Sequence, residues 1–442
     1  MTHMAASQDS LLDRLQAEFA AVADQLPNTT VRDSRSAAVE RLAAAGLPTN
    51  RDENWRYANL RALSRSRFAP IATHQPIAAP DLPAALDGFE RYVFVDGQFA
   101  AGLSATPSGN VGPGIAANSP TDMDTPAARE ARFALISDAF AVDGLCVHIT
   151  AADSAATGAS IRRIEVLFVA TADATIGSSY PRLSVRLEAN TRVHLIERHV
   201  SVGAAASMVN SVIDVSLDRD ARLDHVRLQQ LGARTTLVDT LDARLASNTH
   251  YQLHCIAYGA AAARSTLRVA LQGDRSRVEL TSGCLASGTQ TLDTYAVVDH
   301  AAPGATTREL FRGIASGRSR IAFNGKMVVR QNARDADSVQ MLKGLLAGSE
   351  AEIDIRPQLE IYTDAVKAAH GATTGKLDDA MLFYLLSRGI ERDIAQSLLK
   401  WAFIEDALLG IRPEALRRQL ERELSRQFQD IAALDGLLGD VK

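Results

Sequence analysis

Apolar residues recur at helical spacing near both ends of the chain and at strand spacing between them. Leu11, Leu12, Leu15, Phe19, Val22 and Leu26 predict an N-terminal helix that Pro27 stops. A shorter helix is predicted from Ala37 to Ala45, ended by Gly46 and Pro48. The run Arg51-Asp52-Glu53-Asn54-Trp55-Arg56-Tyr57 reads as a Trp anchor that packs these helices onto the next domain. Residues 70–90 have the Pro/Ala content of a linker. Tyr92-Val93-Phe94-Val95-Asp96-Gly97-Gln98-Phe99 is strand, Asp-Gly turn and strand, a hairpin signal. Residues 101–130 read as loop, and a helical patch follows from Phe133 to Phe140.

The next stretch, about 200 residues, has almost no helical period and carries a repeat. Leu187 to Val193, Leu217 to Leu223 and Leu245 to Tyr251 each place five polar or small residues between two apolar ones. Leu271 to Val278 is the same turn one residue longer, and the first residues stand 30, 28 and 26 positions apart. β-rich runs lie between the turns, as in a β-solenoid whose rungs bury their apolar faces only by stacking. A β-sandwich has less regular turn spacing, so the solenoid is favoured. The pattern continues through Ile321–Val329, Ile353–Ile355 and Leu359–Tyr362. Past Lys376 it returns to helix. Leu377, Met381, Leu382, Leu385 and Leu386 form one face with Gly389 as C′ residue. Ile394, Leu398, Leu399, Ala402 and Phe403 form a second helix, and Leu416, Leu420, Leu424 and Phe428 a third, with Arg417, Arg418 and Arg422 on its wet side. These helices are expected to cap one end of the solenoid. The fold is thus mainly β: a helical region over 1–90, a β-helix core over 91–376 and a helical region over 377–442.

Charge narrows the function. Lys and Arg number 47 against 52 Asp and Glu over 442 residues, a net −5, which argues against a nucleic-acid binder. No apolar run approaches the ~20 residues of a membrane span, and the first residues lack a signal-peptide core. Cys146, Cys255 and Cys284 form no CxxC pair, so a reducing cytoplasm is expected. Aromatic residues are 5% of the chain, few for a sugar- or base-stacking groove.

Catalytic signatures are missing. Gly371-Ala372-Thr373-Thr374-Gly375-Lys376 is one residue short of a P-loop, with Leu377 where the loop has Ser or Thr. His194 and His199 fall on opposite faces of a strand, while His250 and His254 share a face but stand about 13 Å apart. All four read as solvent-facing or hydrogen-bonded structural histidines. His370 remains, where the chain is expected to leave its last strand for the helices. A neutral imidazole there suits iron, and a turn-bonding histidine is the alternative.

Arg356-Pro357-Gln358-Leu359-Glu360-Ile361-Tyr362, Val366-Lys367, His370-Gly371-Ala372-Thr373 and Gly375 together resemble the core motif of the SufB/SufD family. Phe383-Tyr384-Leu385-Leu386-Ser387-Arg388-Gly389-Ile390 resembles its C-terminal helices, and Val298-Asp299-His300, Phe311-Arg312-Gly313-Ile314 and Phe323-Asn324-Gly325-Lys326 fit upstream. The segment from Arg51 to Tyr57 and the scarcity of cysteine resemble the branch of the family that partners SufB. The resemblance implies a right-handed β-helix core and a non-enzymatic subunit of the iron–sulfur cluster assembly scaffold. It implies pairing with SufB along the β-helix edge and binding of the ABC-type ATPase SufC by the C-terminal helices. Phe383, Tyr384, Arg388, Gly389, Trp401 and Phe403 are the candidate contact residues, with plain core packing the alternative for the aromatics.

By the same resemblance His370 is a candidate iron or cluster-assembly ligand at the SufB interface. Many members have a cysteine two residues before this histidine, where this chain has Ala368. A lone imidazole cannot hold a cluster, so no cluster is expected on this chain alone. A transient cluster at the SufB interface and a reduced flavin in the complex are the cofactors the resemblance suggests. Deletion from Leu377 onward is expected to abolish SufC binding and leave the β-helix folded. Two other readings stand beside this one: a homodimeric cluster scaffold, and a β-helix enzyme acting on carbohydrate, which would need clustered carboxylates and aromatic platforms.

Overall fold

A computed structural model describes residues 2–27, 32–72, 76–115, 132–152, 161–203 and 205–428. Residues 116–130, half of the predicted 101–130 loop, and the last residues of the C-terminal region lie outside that set. Two sheets face each other. The first runs β2 (Gln98–Phe99), β1 (Glu90–Val95), β5 (Arg162–Ala170), β8 (Arg192–Ser201), β10 (Arg222–Gln230), β12 (His250–Tyr258), β14 (Arg277–Ala286), β16 (Thr306–Ala315), β18 (Ala336–Leu346), β20 (Val366–Gly375). The second runs β19 (Glu352–Ile361), β17 (Arg320–Val329), β15 (Thr291–His300), β13 (Ala262–Leu271), β11 (Thr236–Leu245), β9 (Ala206–Leu217), β7 (Arg182–Leu187), β4 (Leu145–Ile149), β3 (Val111–Pro113), with β6 (Asp173–Ser179) also beside β9. Among the described strands, pairing is antiparallel for β1 with β2 and β3 with β4, at the first end. The rest is a parallel β-solenoid.

The repeat in the sequence is the corner of this solenoid. Leu187, Leu217, Leu245 and Leu271 stack in register as one inward column, and Val193, Leu223, Tyr251 and Val278 as the column across the turn. All eight are buried, each side chain contributing about 2 kcal/mol. Between the columns Asn190, Asp220, Asn248 and Arg275 take positive φ. Each donates its backbone N–H to the turn of the next rung, Asn190 to Arg219 O at 3.1 Å and Asn248 to Asp274 O at 2.9 Å. The Asp96-Gly97 hairpin forms as predicted, with Phe94 opposite Phe99.

Helices cover the outer faces of both sheets. On the second sheet lie α1 (Thr2–Val22), α2 (Arg32–Ala45) and α3 (Arg132–Phe140), whose Leu15, Phe19, Leu42, Phe133 and Phe140 join Tyr180, Met208 and Val238 of the sheet side. Trp55 is the predicted anchor: it is buried, stacks on Phe133 at 5.3 Å and lies 4.3 Å under the Arg264 guanidinium.

On the first sheet lie α4 (Asp379–Ser387), α5 (Arg392–Glu405) and α6 (Glu414–Ser425). Trp401, Ile404, Leu408, Ile411 and Leu420 pack on Ile196, Val226, Leu228, Ile256, Leu285, Ile314 and Leu345. This corrects the expected cap. The C-terminal helices lie along the side of the solenoid because alternate outward positions of the first sheet are aliphatic and need cover. The end bearing β19 and β20 has no helix across it among the described residues.

Candidate functional site

The uncovered end is the candidate site. β18 pairs with β20 and β17 with β19, and among the described residues neither terminal strand has a neighbour on its other edge. From Lys367 to Gly375 every residue of β20 is exposed on both faces, and β19 is mostly half-buried. The solenoid interior therefore opens to solvent at its last rung. A row of unpaired backbone donors and acceptors beside it is a template for another strand.

His370 lies in the middle of β20, not at a junction after the last strand as expected from sequence. It is exposed, and register places it beside Gln340, which is beside Glu309. Side chains alternate along strands, so Glu309, Gln340 and His370 form one inward column rising to the open end. Gln340 Nε2 donates to Glu309 Oε2. Burial pushes the Glu309 carboxyl up to about 7, against the lowering effect of that hydrogen bond. Ala368, two residues before His370, gives the last rung no thiol. Among the described residues no three His, Cys, Asp or Glu side chains are grouped to hold a metal ion.

The Gly371–Gly375 stretch lies within β20, so it is neither a loop nor the start of a helix, and its backbone cannot cradle phosphate. The other motif residues hold the fold. Arg312 bonds Asp406 at the end of α5 at 2.9 Å, tying the helices to the sheet. His300 Nε2 meets Thr307 Oγ1 at 2.8 Å.

The candidate contact residues divide. Phe383 and Tyr384 on α4 are 72% and 55% exposed, Met381 beside them is 59% exposed, and Arg388 sits 5.1 Å over the Tyr384 ring. The predicted apolar face of α4 reduces to one buried residue, Leu382, since the helix is apolar all round and touches the molecule on one side only. Gly389, at φ +84°, closes the helix, with Gly389 N–H donating to Leu386 O and Ile390 N–H to Leu385 O. Trp401 is buried and belongs to the core. Phe403 is half-buried beneath Arg312 at 5.9 Å.

Sequence reading missed a polar cluster inside the solenoid. Glu197 accepts from Arg227 Nε and Nη2, both at 3.0 Å, and also meets His199 Nε2 at 2.7 Å and His225 Nε2 at 3.1 Å. Arg227 donates to Asp239 at 2.6 Å. Burial alone would raise the Glu197 pKa, but Arg227 and the imidazoles hold it well below the carboxylate range. Cys255 and Cys284 line an adjoining cavity of about 40 Å³, and burial pushes both thiols up to about 12. They are poor ligands in that state. The signal was available: Glu197, His199, His225, Arg227 and Cys255 all stand at inward positions once strand parity is followed. His194 instead pairs with Asp224 at 3.0 Å and His254 with Gln252 at 3.1 Å, both structural.

Comparison with known proteins adds a second line. The family model described as SUF system FeS cluster assembly, SufBD core domain, matches residues 168–403, 236 of the 442. The iron–sulfur cluster assembly protein SufD of Escherichia coli is 29% identical over 391 residues, covering 88% of this chain and 91% of that protein. A SufBD family protein of Synechocystis is 26% identical over 417 residues, 89% of this chain and 90% of its own length. The chloroplastic protein ABCI7 of Arabidopsis thaliana is 25% identical over 409 residues, 89% and 84%.

Proposed function

Because the chain belongs to the SufBD-core family of the SUF iron–sulfur cluster assembly system, we propose that it is a non-catalytic subunit of the assembly complex, pairing with SufB at its open solenoid end and holding the ATPase SufC through α4 to α6. A role in iron–sulfur cluster assembly follows from the family itself. The observation that carries the pairing is the terminal rung. β19 and β20 offer two strand edges and an unsealed interior, and a homologous solenoid would continue both sheets. For SufC, the supporting observation is the exposed Met381, Phe383 and Tyr384 on a helix anchored to the sheet side by its neighbours.

In this reading iron and sulfur are cargo. The imidazole of His370 offers one nitrogen lone pair to iron at the edge of the last rung. With Ala368 in place of a cysteine, thiolates must come from SufB, and the cluster is held between the chains. A reduced flavin belongs to the proposal only as a component of the assembled complex and is assigned no residue of this chain. Tagged capture from its own cells, followed by the mass of the intact complex, tests the reading. The expected result is one copy of this chain, one of SufB and two of SufC. A chain eluting alone or as a pair with itself would refute it, the latter in favour of a homodimeric scaffold. His370→Ala is expected to leave the complex intact and lower its cluster yield several-fold. Loss of the complex instead would make His370 structural.

A further inference from the structure

We propose that Gln340 is a positioning residue for His370, its amide held by Glu309 so that Gln340 Oε1 accepts a ring N–H of His370 and the other ring nitrogen faces the iron cargo. This rests on the reading of His370 as an iron ligand. Three observations support it. First, Glu309, Gln340 and His370 are direct register partners on successive strands of one inward column. Strands stand about 4.8 Å apart, so long polar side chains in one column reach their neighbours. The molecule shows this in Gln340 with Glu309, in Arg227 with its register partner Glu197 and in Arg264 with its register partner Asp293.

Second, the Gln340 amide is used on one side only. Its Nε2 donates to Glu309, while its Oε1 is buried and has no partner. With the nitrogen committed downward to the carboxyl, the acceptor oxygen is left for a donor, and the next residue in the column is His370. Third, the opposite sheet leaves room for the pair. A Cβ at Gly325 would press on Gln340 Nε2 and Glu309 Oε2, so a larger residue there would push both side-chain ends aside. An imidazole that ligates a metal through one nitrogen is oriented by the acceptor of its other N–H, and losing such an acceptor weakens metal binding about 10- to 100-fold.

The test uses the full chain captured with its partners, anaerobic Fe(II) as the probe, and ¹⁵N-histidine spectra in which the His370 signals are identified by their loss in His370→Ala. The wild type is expected to show His370 as one tautomer. Gln340→Met, similar in shape without the acceptor, is expected to give a tautomer mixture and about tenfold weaker Fe(II) binding. Glu309→Gln still accepts from Gln340 Nε2 and is expected to stay within about twofold of wild type. Gly325→Ala, which displaces the pair from the far wall, is expected to behave like Gln340→Met. Mixed tautomers in the wild type overturn the proposal without any variant. So does Gln340→Met with unchanged tautomer, whether iron binding falls or not. If His370→Ala binds Fe(II) as well as wild type, or no partner is captured, the underlying reading fails and this proposal falls with it.

Discussion

Glu309 shows how one buried acid sets the behaviour of its surroundings. Its carboxyl is raised from 4.5 to about 7 by burial, with one neutral hydrogen bond from Gln340 in opposition. A raised acid favours the protonated folded state, so its stabilising effect is full below pH 4.5 and is lost as pH rises through 7. A rise to about 7 corresponds to about 3 kcal/mol. Buried His254 and His300, lowered to about 4 chiefly by burial, act in the other direction, their contribution being lost as pH falls from 6.5. The clean reading is therefore wild type against Glu309→Gln in urea unfolding at pH 5 and pH 8. The variant should gain about 3 kcal/mol relative to wild type at the higher pH, and equal differences at both would refute the assignment. The sequence singled out His370 as a candidate through the motif around it, and the structure places it in an exposed strand. Glu309 and Gln340 were not singled out, because they precede it by 61 and 30 positions and only the rung lengths of the folded chain bring them into one column.

Among the elements, the corners were the most readable and the helices the least. The leucines that open each repeat are the inward column beside the turn, and the Asn and Asp between them are the left-handed positions. Asn248→Ala is expected to cost about 1 kcal/mol in thermal or urea unfolding while Asn248→Gly stays near neutral, since only the former puts a Cβ with no local side-chain bond at φ +60°. The helix placement went wrong for a physical reason. Ile196, Val226 and Ile256 alternate with inward residues, so these strands are apolar on both faces and demand cover along their side. Removing everything from Leu377 onward would strip that cover and leave the aliphatic strip in water. Phe383→Ala with Tyr384→Ala is the better probe of SufC docking. Both side chains are mostly exposed, so stability should move by less than about 1 kcal/mol while affinity falls by about 2 kcal/mol or more in a titration. Unchanged affinity would move the docking surface elsewhere.

Across the whole molecule, stability in a stacked array is a sum of rungs and the interfaces between them. Each internal strand is held on both edges, whereas β19 and β20 are held on one. Amide hydrogen exchange should therefore be slowest in β10 to β14 and fastest in β20, and capture of a solenoid partner should slow β19 and β20 with little change at the middle. Slowing confined to α4 to α6 would point to an association that leaves the end uncovered.

The half-finished last rung has a consequence for the cell as well as for the fold. A strand ready to accept a neighbour does not distinguish the right neighbour from a surplus copy or an unrelated extended chain except by the side chains that follow. On the proposed pairing, supply of this chain and of the partner that completes its last rung must be balanced. Excess of either one leaves an adhesive surface in circulation, and expression of the two from one message, in step, is the simplest way to keep it covered.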